Sequence, residues 1–238
     1  LVQLVPAHGN LRVRVARGLD TWAMVRRKVE SPGIDAVLRV ADGLDPDAHR
    51  MEARAAWLAR DTRRLERLAD KPDLDRFTSD LVAMALVDTG AVTAAIALLR
   101  RACVAHAEDI WLNAHLASTV QLEASSSAGE ARRHAMIALI GAPNSPGLRR
   151  HMARVHAVSG DVSRAIEFSQ AALAATPPDV AAVWGYVELF EDLGHVEKAR
   201  DLLRGLLEID SKDRVAAARL DRLSRGTRPG MGLSLIHI

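Results

Sequence analysis

The stretches GDVSRAIEFSQAALAATPPD (160–179) and GHVEKARDLLRGLLEIDSKD (194–213) repeat one another at an interval of about 34 residues. Glycine aligns with glycine at their first positions, and Ala165 aligns with Ala199 at the sixth. After each glycine the apolar residues recur at the spacing of one helix face. Another amphipathic helix precedes each glycine. The repeating unit is therefore helix, glycine turn, helix, followed by a breaker such as Pro177-Pro178.

The same period continues toward the N-terminus. Ala131, Ala165 and Ala199 are equally spaced, and the step back from Ala131 to Ala95 is longer by two positions. The two extra positions fit the polar run EASSSAGE, which we interpret as a longer turn between helices. The first helices keep the same spacing, with the longer step between the second and third of the pairs Val82-Ala83, Leu116-Ala117, Met152-Ala153 and Tyr186-Val187. The sequence predicts four repeats: 76–109, 110–145, 146–179 and 180–213.

Stacking explains why the unit is repeated. One helical hairpin of this size cannot bury its apolar face alone, whereas stacked hairpins build a continuous core. Small residues are needed where the helices cross closely. We expect that role for the alanines of the repeat, which are Ala83, Ala95, Ala117, Ala131, Ala153, Ala165 and Ala199.

The period, the Leu116-Ala117 type of pair, the glycine turn, the alanine after it and the closing proline resemble the tetratricopeptide repeat (TPR) family. The resemblance covers 76–213 and is most specific in 146–213. It implies an all-α fold, a right-handed superhelix of antiparallel helical hairpins. The chain departs from the family pattern where Val187 and Leu206 are large and where Ser126 replaces the expected glycine.

The segments outside the repeats are interpreted separately. Residues 1–75 predict degenerate helical hairpins, with Ser31-Pro32-Gly33 as a breaker, and 214–226 predict a capping helix or a truncated repeat. Residues 227–238 predict a disordered tail. Its last six residues, LSLIHI, match one reading frame of a transposase adapter used in DNA library preparation. We therefore expect adapter read-through at 233–238 and a fragment of a longer gene, with a genuine apolar tail as the alternative.

The composition and motifs point away from catalysis. The net charge is +2, and the arginine pairs are interspersed with acidic residues, so we expect no nucleic-acid partner. Cys103 is the only cysteine and lies in an apolar run, which indicates a buried structural thiol. The sequence contains no HExxH, CxxC, P-loop, GxGxxG or GxSxG motif. We expect no metal, no cofactor, no membrane span and no enzyme activity in these residues.

Recognition of a partner remains as the expected function. The TPR resemblance implies a groove lined by the first helix of each unit. Arg150 and Arg154, four residues apart, could hold a carboxylate or phosphate, and Trp184 beside Glu188 would offer an aromatic anchor. The full set of expected groove residues is Phe77, Asp80, Met84, Trp111, Ser118, Arg150, Arg154, Trp184, Glu188 and Glu191.

A wider resemblance concerns the parent protein. The chain is similar to the repeat region that follows the kinase domain in large planctomycete-type bacterial serine/threonine kinases. The Asp45-Pro46-Asp47 motif and the run from Asp109 to Asn113 carry most of this resemblance. This implies a regulatory or substrate-docking role, although every kinase motif is absent from this chain. Repeats attached to another enzyme, or used for self-association, are the alternatives. We expect a protein or peptide partner and a cytoplasmic location, and leave the oligomeric state open.

Overall fold

The computed structural model describes residues 11–28, 30–123, 128–174 and 178–225, and every regular element in these ranges is an α-helix. The all-α fold predicted from the sequence is confirmed. No helix within these ranges is both long enough and apolar enough to cross a bilayer. The helices are α1 (Leu11–Lys28), α2 (Ile34–Leu44), α3 (Ala48–Leu58), α4 (Thr62–Ala69), α5 (Arg76–Asp88), α6 (Val92–Ala105), α7 (Ile110–Val120), α8 (Ala128–Gly141), α9 (Pro146–Val158), α10 (Val162–Leu173), α11 (Val180–Asp192), α12 (Val196–Ile209) and α13 (Arg214–Ser224).

The chain divides into two compact units, unit 1 (1–125) and unit 2 (126–238). In unit 1, α1 pairs with α2, α3 with α4 and α5 with α6, while α7 packs on α6. In unit 2, α9 packs between α8 and α10, and α12 packs between α11 and α13. The predicted second repeat, 110–145, therefore has α7 in one unit and α8 in the other. Ser126 and the predicted tail at 227–238 lie outside the described residues.

A side-chain cap begins each first helix of the repeats. In α7, Oδ1 of Asp109 accepts hydrogen bonds from the backbone N–H groups of Trp111 and Leu112, both at 3.0 Å. Such a cap satisfies N–H groups that have no partner within the helix. The corresponding N-caps of α5, α9 and α11 are Asp75, Ser145 and Asp179, and Asp213 caps α13, which follows the last predicted repeat. The five caps recur with the spacing of the predicted repeats, including the step from Asp109 to Ser145 that is longer by two positions.

The turn between the two helices of a hairpin needs a left-handed residue. Gly90, Gly160 and Gly194 have φ of 89°, 86° and 74°, a region that glycine adopts without the steric cost of a Cβ. The turn between α3 and α4 has Arg60 in the same region, with φ of 54°. The repeated glycine in the sequence is therefore a requirement of the backbone, and the hairpin of α3 and α4 forms without it.

Small residues occupy the close crossings. The seven alanines expected to pack between helices are at most 1% exposed, and three of them, Ala153, Ala165 and Ala199, belong to one core cluster of unit 2. A Cβ added to Gly205 would lie 2.6 Å from Cδ2 of Leu173. Helix α12 can therefore approach the α10 side chain closely because position 205 has no side chain of its own.

Candidate functional site

The first helices of unit 2, α9 and α11, enclose a small cleft between them. Its cavity volume is about 40 Å³, enough for water but far below the volume of about 300–1,000 Å³ that is typical of small-molecule pockets. Any larger ligand must therefore lie across the opening. We call this site the α9–α11 cleft; it is lined by Arg150, His151, Arg154, Gly185, Glu188, Leu189 and Asp192.

The basic side of the cleft comes from α9. The side chain of Arg150 crosses the backbone at Gly185, where a Cβ would overlap Cδ of the arginine. Nη1 of Arg154 lies 3.9 Å from Oδ2 of Asp192, a long contact between side chains that are each about one-third exposed. The structure thus brings Arg150 and Arg154, which the sequence predicted as neighbours on one helix face, to the same cleft.

The acidic side of the cleft comes from α11. Partial burial raises the pKa of Asp192, and the nearby carboxylates of Glu188 and Glu191 act in the same direction, while Arg154 opposes them. From α13, Nη1 of Arg219 lies 3.9 Å from Oε1 of Glu188, and Nε of Arg219 lies 2.6 Å from Oε1 of Glu191. Three carboxylates therefore stand together between the arginines of α9 and those of α13.

Glu191 and Trp184 already have partners from α13. Arg219 and Arg222 bind the Glu191 carboxylate at 2.6 and 2.9 Å, and only 5% of that side chain is exposed. The Arg219 guanidinium also lies 5.7 Å from the centroid of the Trp184 ring. Glu191 therefore departs from the expected role of an accessible groove residue, because its carboxylate is enclosed within unit 2, whereas the half-buried Trp184 keeps part of its ring accessible.

Asp80 in unit 1 also departs from that expectation. It is 2% exposed, and its carboxylate contacts Arg17 of α1 and Nδ1 of His115 of α7. Burial alone would raise the pKa of Asp80, but His115 and Arg17 outweigh that effect and hold the pKa below its usual value. The Asp80 carboxylate is thus enclosed by groups of the chain itself.

The other expected residues of unit 1 keep some exposure. Trp111 is 47% exposed, and the Arg17 guanidinium lies 5.0 Å from its ring centroid. Phe77 is half-buried, and the Arg76 guanidinium lies 4.6 Å from its ring centroid. Met84 is half-buried. The Ser118 hydroxyl donates to the carbonyls of Ala114 and His115 in its own helix, which leaves its oxygen as an acceptor.

Sequence reasoning missed the residues that meet these side chains. Arg17 lies in α1, outside every predicted repeat, and Arg219 lies in the helix interpreted as a cap or a truncated repeat. The chain contains many arginines, so neither the residue type nor its position in the sequence indicates which carboxylate each of these two contacts. Only the fold brings Arg17 to Asp80 and Arg219 to Glu191.

Metal ligation and thiol chemistry concern a few side chains of the described ranges. Within them, no group of three or more His, Cys, Asp or Glu residues is arranged to hold a metal ion. Cys103 is 7% exposed, and burial raises the pKa of its thiol to about 12, so the reactive thiolate is scarce at neutral pH. The expected buried thiol is therefore what the structure contains.

Comparisons with known proteins agree with the repeat. A family model described as tetratricopeptide repeat matches residues 159–221, which confirms the resemblance over that range. No curated protein sequence matches the chain significantly.

Two solved structures are similar to this chain. One, MamA AMB-1, has 18% identity and a TM-score of 0.47, covering 75% of this chain and 96% of its own. The other, a human IFIT1 dimer with PPP-AAAA, has 16% identity and a TM-score of 0.52, covering 88% of this chain. This chain spans 59% of the length of IFIT1. At these identities the likeness to IFIT1 shows a shared fold, and the likeness to MamA carries no further argument.

Proposed function

We propose that this chain, similar over 159–221 to the tetratricopeptide repeat, is a scaffold that binds a protein or peptide partner across the first helices of unit 2. The observation that carries the proposal is the convergence of Arg150 and Arg154 on the α9–α11 cleft. In this proposal the two guanidinium groups hold a carboxylate of the partner. An arginine–carboxylate pair can form two parallel hydrogen bonds, which gives it both strength and direction.

The size of the cleft favours a polypeptide as the ligand. A cavity of about 40 Å³ cannot enclose an organic molecule, so a ligand gains contact area only by lying along the helices. The exposed part of Trp184 adds an aromatic surface on the neighbouring helix. Aromatic and arginine side chains commonly dominate the binding energy of protein interfaces.

The local electrostatics support exchange of one carboxylate for another. Arg154 reaches Asp192 only at 3.9 Å, and the raised pKa of Asp192 reflects an environment that disfavours its charge. A carboxylate on the partner would compete with Asp192 for Arg154. This competition favours acidic peptides over basic ones on the α9 side of the α9–α11 cleft.

Selection from a peptide display library would identify a ligand and test the site. We expect acidic peptides to be enriched on the purified chain, and to lose affinity when Arg150 and Arg154 are both changed to glutamate. The matched control changes Arg132 and Arg133 of α8 to glutamate, which alters the net charge equally at two exposed positions. Equal binding to the chain and both variants would remove the proposed site. Equal loss in both variants would indicate a general charge effect.

The wider role that we propose is docking of substrates or partners for a larger protein. The Asp45-Pro46-Asp47 motif and the run from Asp109 to Asn113 support a bacterial serine/threonine kinase as the parent protein, with another enzyme class as the alternative. A DNA read across both ends of the coding segment tests this. An in-frame kinase domain upstream is the expected result, and another domain there would contradict it.

Self-association is the remaining alternative. Size-exclusion chromatography with light scattering separates it from partner binding, because the proposed scaffold does not need to associate with itself in order to bind its partner. A stable oligomer that blocks peptide binding would favour self-association.

A further inference from the structure

Side chains of helix α1 contact the first helices of unit 1. Arg54 of α3 donates to both oxygens of Asp20, at 2.8 and 3.0 Å, and both side chains are at most 3% exposed. Arg17 pairs with Asp80 of α5 and stacks on Trp111 of α7 at 5.0 Å. One helix of the N-terminal hairpin therefore contacts three successive first helices, α3, α5 and α7, and two of the residues it meets, Asp80 and Trp111, are among the groove residues expected from the TPR resemblance.

The C-terminal end of α1 is held by a second arginine. Arg27 donates to the carbonyl oxygens of Trp57 and Leu58, at 2.8 and 3.0 Å, where α3 ends. Its guanidinium also lies 4.4 Å from the Trp57 ring centroid and 3.9 Å from Asp88 of α5. A cation placed at the last carbonyls of a helix is favoured by the helix dipole.

The contacts of α1 include an apolar cluster with α2 and charged contacts with the other helices. Toward α2, Ala16 forms an apolar cluster with Ala41 and Leu44. Toward α3, α5 and α7, the contacts described above are made by the charged side chains of Arg17, Asp20 and Arg27. Solvent reaches both arginines, whose side chains are 22% and 16% exposed. Attachment through ion pairs is weakened by salt to the extent that solvent reaches them, whereas attachment through buried apolar area is not.

We propose that this face of unit 1 is a receptor for an arginine-bearing helix, and that α1 is the occupant supplied by the chain itself. The receptor consists of the Asp80 carboxylate, the exposed Trp111 ring, Arg54 and the C-terminal carbonyls of α3. A ligand of this class carries two arginines ten residues apart, about 15 Å along a helix, with an acidic residue between them. A partner helix with that pattern competes with α1 for the face.

The competition makes the availability of the face depend on α1. A partner helix must displace α1, so its apparent affinity is reduced by the fraction of molecules in which α1 is seated. The site differs from the α9–α11 cleft, which lies in the other unit. Either proposal can therefore fail without the other.

The test uses the full chain and a fluorescent peptide with the sequence of residues 11–28. We expect the Arg17→Ala, Arg27→Ala double variant to release α1 and bind this peptide at least about tenfold more tightly than the unaltered chain, by fluorescence anisotropy. The matched control is the Arg14→Ala, Arg26→Ala double variant. Arg14 is exposed, and Arg26 stacks on Trp22 of α1 and donates to the Pro32 carbonyl. This control should bind as weakly as the unaltered chain, and a peptide lacking the two arginines should bind to none of the chains.

Hydrogen exchange in the same variants reports the seating of α1 directly. Release predicts exchange of the α1 amides at least about tenfold faster in the Arg17→Ala, Arg27→Ala variant, with α9 to α12 unchanged as the internal reference. Unchanged α1 exchange, or equal peptide binding by the variant and the unaltered chain, overturns the proposal.

If unit 1 as a whole loses protection in that variant, Trp111→Ala decides the question, because it removes only a partly exposed ring. Faster α1 exchange in this variant supports the proposal, and unchanged exchange overturns it.

Discussion

Replacement of Ala165 by leucine tests whether the helices of unit 2 stack as the repeat requires. Ala165 is 0% exposed and lies in one core cluster with Ala153 and Ala199. Leucine adds three carbons at a position without solvent access, so neighbouring side chains must leave their preferred rotamers. Such overpacking costs about 1–3 kcal/mol. For a chain of this size that corresponds to a fall in melting temperature of about 2–4 °C per kcal/mol.

The matched control lies on the same helix. Ala171 of α10 is exposed, so Ala171→Leu makes the same chemical change without a crossing helix to displace. Urea unfolding followed by far-UV circular dichroism gives the free energy of unfolding for both variants. We expect the control to stay within about 0.5 kcal/mol of the unaltered chain. If Ala165→Leu unfolds with the same free energy as the control, the reasoning about close crossings at the repeat alanines is wrong.

Four other perturbations have directions set by the structure. Arg60→Gly should raise the free energy of unfolding by about 1 kcal/mol, and Gly160→Ala should lower it by a similar amount, because each position has a positive φ. Urea unfolding measures both changes. Changes of the opposite sign would show that the turns tolerate a Cβ. Burial lowers the pKa of His156 below its usual value of 6.5, despite the opposing effect of Asp161. The folded state therefore binds fewer protons than the unfolded state, so stability is lost as pH falls below about 6.5. Between pH 7.5 and 5, the His156→Gln variant should lose less stability than the unaltered chain. An equal loss would contradict this. Cys103 should react slowly with a thiol reagent in the folded chain and rapidly in urea, since burial raises its pKa to about 12; equal rates would show that the thiol is accessible.

The period of the repeat was predictable because local physics imposes it at every unit. A left-handed turn calls for Gly160 and Gly194, and a helix start calls for Asp179 and Asp213. These requirements lie within a few residues of the features they control, so the sequence displays them. The regular spacing of the caps extends the same reasoning to Asp75, which directly precedes the first predicted repeat.

The accessibility of the candidate site residues was not predictable in the same way. Asp80 and Glu191 occupy the positions on their helices that the repeat pattern predicts, yet Arg17 and Arg219 enclose their carboxylates. These partners come from α1 and α13, which lie outside the predicted repeats. Periodicity indicates which face a residue lies on, but it contains no information about which distant side chain covers that face.

The hydrogen-exchange footprint of a selected acidic peptide on unit 2 tests the central claim most directly. Peptide binding at the α9–α11 cleft predicts slower exchange in the first helices α9 and α11, with α10 and α12 unchanged, and no footprint in the Arg150→Glu, Arg154→Glu variant. Protection confined to α10 and α12, or a footprint that persists in that variant, would contradict the account.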